Sequence, residues 1–179
     1  LDERARAGER VLRLKGGDPT LFARGGEEAL ALARAGVRFR VLPGVSAGLG
    51  ALAAARIPAT HRGVSRALIL ATGHAVGTPD DLDWAALART GQPIVVYMGL
   101  AALPTIAAAL VAGGLAPATP AAIVASATRP DERVLVADLG TIADRAAAEG
   151  IAAPAVVVVG AIVALRAALL AAALAAAPA

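Results

Sequence analysis

The 179-residue chain has no cysteine, one lysine and very few aromatic side chains: one tryptophan, one tyrosine and two phenylalanines. Without thiols it can form no disulfide, no cysteine-ligated zinc site and no iron–sulfur cluster. Two histidines, His61 and His74, are too few to build a histidine metal site, so no metal is expected. The shortage of aromatics also argues against nucleic acid as a partner, because no basic run interleaves with stacking rings. Net charge is +3 with a pI near 10.5, which favours an anionic partner. Nearly all of the positive charge is arginine, a bias that reads as genome base composition, with most arginines on a solvated surface.

Long apolar runs are scarce as well. From Ile151 to the end the only charge is Arg166. Yet the run Ala155 to Leu165 is too short to span a bilayer, and it is β-branched from Val156 to Val159, as a central parallel strand would be. The tail 167–179 is mostly alanine, which inserts weakly into membranes and reads as helical or frayed. No membrane segment is expected. Leu1 to Arg10 is charged, with no apolar core behind it, so no signal peptide is visible. A cytoplasmic protein is the simple inference. The chain opens on leucine and enters a strand almost at once, which reads as a fragment.

What the chain does have is punctuation by glycine. Val11 to Glu28 reads VLRLKGGDPTLFARGGEE. A short strand, Val11 to Lys15, breaks into Gly16-Gly17-Asp18-Pro19. A second break follows at Arg24-Gly25-Gly26, and helical spacing begins at Glu27. Two glycine doublets between a strand and a helix let backbone amides come close to a ligand. Glu27 and Glu28 fall in the first helical turn, favourable against the helix dipole. The helix runs to Ala35 and stops at Gly36. Val37 to Leu42 reads as a second strand, ending at Pro43-Gly44, and Ser46 opens a small-residue helix through Ala55. This βαβα alternation signals a parallel sheet with helices packed on it.

Arg56 to Ser65 interrupts the pattern and reads as a linker or cleft loop. A second series follows: strands at 67–72, 94–98, 121–125, 133–137 and 155–159, and helices at 84–89, 103–112 and 141–149, with a polar loop at 78–83. The strands at 121–125 and 133–137 are spaced as a hairpin. The expected fold is α/β in two domains: residues 1–58 as the C-terminal part of a first, incomplete domain, 59–166 as a complete second domain, and 167–179 as an alanine-rich tail.

Several positions have both a plain and a chemical reading. Gly16-Gly17-Asp18-Pro19 follows a strand, where open α/β sheets bind ligands. Asp18 could cap a tight turn, or hold a hydroxyl or amino group of a ligand. Ser46 is a natural N-cap. Arg62, in Thr60-His61-Arg62, carries a fork suited to carboxylates. Thr72-Gly73-His74 ends a strand and either lines a cleft or simply turns. Met98, ending the strongest apolar strand, would ordinarily be core filler.

Over Arg13 to Glu28 the chain resembles, almost word for word, the glycine-rich segment of uroporphyrinogen-III C-methyltransferases, members of the tetrapyrrole methylase family. The one departure is Ala23, where members usually have glycine. The resemblance extends from about Gly8 to Arg166. It implies two α/β domains with the active site in the cleft between them, and a further glycine-rich loop upstream of Leu1. It implies S-adenosylmethionine as methyl donor, with Gly16, Gly17, Asp18, Leu21, Ser46, Ala47, Met98, Ala127 and Ala155 as contacts. It points to Arg24, Arg62 and Met98 as contacts for uroporphyrinogen III, a polycarboxylate. Arg24 and Glu27 would be the catalytic residues. Arginine stays protonated in proteins, so Arg24 is expected to clamp carboxylates while Glu27 orients it or moves a proton. The reaction implied is double C-methylation to precorrin-2, by way of precorrin-1, for sirohaem and cobalamin, by a homodimer. The alternatives are another precorrin methyltransferase, or a degenerate, non-catalytic member serving as a binding or dimerisation module. Taken alone, the chain is expected to be a poor catalyst that exposes an unpaired strand.

Overall fold

Glycines and apolar β-branched residues are unevenly shared along the chain, and the architecture follows them. The computed structural model describes residues 2–78 and 81–175. The chain divides into two compact units, Leu1–Ala47 and Gly48–Ala179.

The first unit contains helix α1 (Asp2–Arg6), which stops before Gly8 at φ 84°, and helix α2 (Gly25–Arg34). The end of α2 uses a glycine as the sequence anticipates. Gly36 turns left-handed at φ 69°, and the Val37 amide reaches back to the Leu32 carbonyl at 3.0 Å. The two strands expected here do not form: neither Val11–Lys15 nor Val37–Leu42 enters a ladder among the described residues. Their apolar side chains lie open instead, with Leu12 and Leu14 each 74% exposed. Alternating apolar residues supply a preference for extended backbone, but a strand also needs a neighbour's row of amides and carbonyls.

The second unit opens with α3, whose helical span is Ala47–Ala54, and is built around a five-stranded sheet. Its strands are β1 (Ile69–Thr72), β2 (Ile94–Tyr97), β3 (Pro120–Ala125), β4 (Arg133–Asp138) and β5 (Ala155–Val159). The order is β1-β2-β5-β3-β4, with β1 and β2 parallel and the remaining pairs antiparallel. The expected hairpin of β3 and β4 is present. The expected parallel setting of β5 is corrected: it is central, but antiparallel to both neighbours. A run of valines reports burial on both faces and says nothing of direction.

Helices α4 (Trp84–Arg89), α5 (Leu103–Ala112) and α6 (Ile142–Ala148) close a core with the sheet. Ile94, Val96, Leu110, Ala121, Ile123 and Ile142 are fully buried in it. A 3-10 turn (Ala161–Ala164) leads into α7 (Leu165–Ala175). The last four residues of the predicted tail, and residues 79 and 80 of the predicted polar loop, lie outside the described residues. Among the described residues no helix is long and apolar enough to cross a membrane.

Candidate active site

In the first unit the glycine-rich loop and the Pro43-Gly44-Val45-Ser46-Ala47 turn meet backbone to backbone. A Cβ on Gly44 would run into the Gly17 carbonyl, and a Cβ on Gly25 into the Pro19 carbonyl. Gly17 itself has φ 75°, so only glycine suits it without strain. A Cβ there would sit 3.5 Å from the Ala47 amide nitrogen and 3.7 Å from Ser46 Cα. The structure therefore brings Gly17, Ser46 and Ala47 together, with Ser46 buried. Asp18 ties the two segments. Its Oδ1 accepts the Thr20 amide at 2.8 Å and the Thr20 hydroxyl, and its Oδ2 accepts the Gly44 amide at 3.1 Å. These bonds, the Thr20 hydroxyl first, hold its carboxyl below the usual carboxylate range. The turn-capping reading of Asp18 is realised in the fold. Leu21, half-buried, hydrogen-bonds back to the Asp18 carbonyl.

Beside this loop is an open hollow of about 660 Å³, lined by Arg13, Leu14, Lys15, Gly16, Ala23, Arg24, Glu27 and Glu28. Three cations and two carboxylates face it. Arg24 holds the left-handed position before α2 at φ 59°. Its side chain is 83% exposed and pairs with Glu27 at 3.3 Å. Ala23 keeps a negative φ between two left-handed neighbours, Phe22 and Arg24. Asp18 does not line the hollow, because its carboxylate is turned to Gly44. Glu28 accepts Lys15 at 2.8 Å and Arg13 at 3.3 Å. The Lys15 hydrogen bond is the largest cause of its lowered carboxyl. Sequence reasoning gave Lys15 no role. The available signal was that it is the only lysine in the chain.

In the second unit, strand direction decides which residues gather. The C-terminal ends of β1, β2 and β3 and the start of β5 share one edge, since Thr72 pairs with Tyr97, Tyr97 with Val156, and Ala125 with Ala155. Met98, Ala127 and Ala155 are thereby brought to that edge, with Thr72-Gly73-His74 alongside. The backbone there is unusual: Met98, Ser126 and Thr128 all have left-handed φ, at 52°, 49° and 67°. Such strain in non-glycine residues clusters at functional sites. The edge is also close-packed, with a Cβ on Gly73 falling 2.6 Å from Gly99 Cα. Met98 is not core filler but 53% exposed. The loop carrying Ala127 is tied by the Thr128 amide, which donates to Glu132 Oε2 at 2.6 Å. Ser126 and Arg129 hold the Asp131 carboxyl low in the same loop. Arg62 stands exposed on a turn closed by the His61–Ser65 bridge, with no ion-pair partner among the described residues.

The family model for Tetrapyrrole (Corrin/Porphyrin) Methylases matches residues 1–143. The chain belongs to this family. Among tetrapyrrole methylases it is 52% identical over 165 residues to a siroheme synthase of Gluconacetobacter diazotrophicus, covering 91% of this chain and 35% of that protein. It is 49% identical over 171 residues to a uroporphyrinogen-III C-methyltransferase of a Sinorhizobium species, covering 94% of this chain and 61% of that one. The chain thus spans between about a third and three fifths of these two relatives. The crystal structure of uroporphyrin-III-C-methyltransferase from Thermus thermophilus superposes with a TM-score of 0.80 at 40% identity, over 94% of this chain and 71% of that one. The Thermus enzyme has also been solved complexed with S-adenosylhomocysteine.

Proposed function

We propose that the protein methylates carbon atoms of uroporphyrinogen III twice in succession, giving precorrin-2 by way of precorrin-1 for sirohaem and cobalamin synthesis, with S-adenosylmethionine as donor. The observation that carries this reading is the seam between Gly17 and Gly44, where two backbones meet closely enough to exclude any side chain and Asp18 clamps them together. Such a seam would bring backbone groups within close range of the ribose, amino and carboxylate groups of that donor.

S-adenosylmethionine, when bound, supplies an electrophilic methyl group on a sulfonium centre. Gly16, Gly17 and the Ser46-Ala47 turn would hold it through backbone groups, with Leu21 behind the loop. Asp18 has three donors on a carboxylate that offers about four acceptor sites, which leaves room for one cofactor hydroxyl or amino group. Met98, Ala127 and Ala155 would supply an apolar edge for an adenine or a flat macrocycle. Arg24 and Arg62 would fork onto substrate carboxylates, Arg24 as a fixed charge oriented by Glu27. Much of the rate would come from holding donor and ring in line, which is worth on the order of 7–11 kcal/mol. The resemblance to the family supports a cytoplasmic homodimer.

The test is transfer of labelled methyl from S-adenosylmethionine to uroporphyrinogen III by the protein as the cell makes it, with later precorrins as a substrate panel. Arg24→Ala is expected to lower the rate by about a hundredfold, as loss of a positioned charge does. No label on uroporphyrinogen III with the unsubstituted protein overturns the reading. Label on a later precorrin instead favours another methyltransferase of the family.

A further inference from the structure

Tyr97 is the only tyrosine in the chain, and the proposed chemistry does not use it. It is the last residue of β2, buried, and directly precedes the exposed, left-handed Met98. Its hydroxyl accepts the Gly48 amide at 2.9 Å, a contact between residues 49 apart in the chain. Gly48 lies in the first turn of α3, where amides have no carbonyl of their own helix to bind. The fit is tight from both sides: a Cβ on Gly48 would lie 2.6 Å from Tyr97 Cζ and 2.9 Å from Cε2. Glycine at 48 therefore admits the ring, and the ring satisfies the amide that its arrival buries. One rigid side chain joins the first turn of α3 to the strand end that carries Met98.

We infer that Tyr97 is a positioning residue for the methyl donor, holding Gly48 of α3 against the strand end that carries Met98. This rests on the reading that Met98 and the residues before Gly48 contact that donor. Gly48 directly follows the Ser46-Ala47 pair, so an error in its amide passes along one peptide unit. Tyr97→Phe removes the acceptor and keeps the ring, so the core stays filled while the first turn of α3 loses its anchor.

The protein as the cell makes it, unsubstituted and with Tyr97→Phe, is titrated with S-adenosylhomocysteine by calorimetry and assayed for KM with each substrate. Affinity for S-adenosylhomocysteine is expected to fall about tenfold, the worth of one hydrogen bond, with KM for S-adenosylmethionine rising in step. KM for uroporphyrinogen III is expected to stay unchanged, a split that loss of fold would not produce. Gly48→Ala reaches the same contact from the helix side, is expected to show the same split, and decides the matter if Tyr97→Phe does not fold. Should the unsubstituted protein bind no S-adenosylhomocysteine, the proposed function fails and this inference with it. Should it bind while the folded variants match it within about twofold, this inference alone is overturned.

Discussion

In residues 48–179, strands β2, β3 and β5 bury Ile94, Val95, Val96, Ile123 and Val158 completely. In residues 1–47, α2 buries nothing, no strand forms among the described residues, and Val11, Leu12, Leu14 and Leu42 face outward. Both units carry residues with a proposed part in the chemistry, but they hold them differently. The second unit sets Met98, Ala127 and Ala155 by the register of a sheet, so their placement is backed by the whole core. The first unit sets Gly17, Asp18 and Ser46 by a few hydrogen bonds and by the absence of side chains at Gly17, Gly25 and Gly44. Substitutions should separate these two kinds of support.

The largest difference is expected in stability. Ile123→Ala should cost about 2–5 kcal/mol, as removal of a buried branched side chain does. Leu12→Ala, at an exposed position, should change it by no more than about 0.5 kcal/mol. Chemical denaturation of the two variants measures both. Comparable losses would mean that the first unit has a core of its own.

Next in size is Gly44→Ala. The added methyl meets the Gly17 carbonyl and must part the two loops. Catalytic efficiency should fall about a hundredfold for a displacement on the order of 1 Å, with the unfolding midpoint nearly unchanged. Steady-state kinetics alongside thermal melting tests this, and an equal loss in both would blur the contrast between the units.

The smallest effect is in the response to acid. Asp18 has its folded carboxyl below its ordinary value of 3.8, so its loop tie is fully present above that value and is lost as pH falls through the lower folded one. Glu28 behaves likewise from its ordinary value of 4.5 downward. Protection of the Gly44 amide, taken relative to its intrinsic exchange rate at each pH, should therefore fall below about pH 3.8 while the sheet amides of β2 and β5 remain protected. Simultaneous opening of both would remove the distinction.

Much of the second unit could be read from residue order. The bounds of α4, α5 and β5 match the apolar spacing, and the β3–β4 hairpin matches the spacing of its two strands. These are local matters of periodicity and turn chemistry, which neighbouring residues decide among themselves. The glycines at 17 and 36 also declared themselves, because no other residue suits a left-handed turn without strain.

Other features depended on residues far apart in the chain. Whether Val11–Lys15 and Val37–Leu42 pair, and which way β5 runs, depends on neighbours that alternation cannot name. That Asp18 ties its own turn to Gly44, 26 residues away, could not be read from the residues beside it. The use of Tyr97 shows only where the Gly48 amide, from a distant part of the chain, meets its hydroxyl. Sequence alone settled composition, helix limits and the glycines of left-handed turns, since each is a short-range property of the chain. Tertiary structure alone settled strand direction, the company each polar group keeps and the shared edge at Met98, Ala127 and Ala155, since those follow from closing long loops around one core.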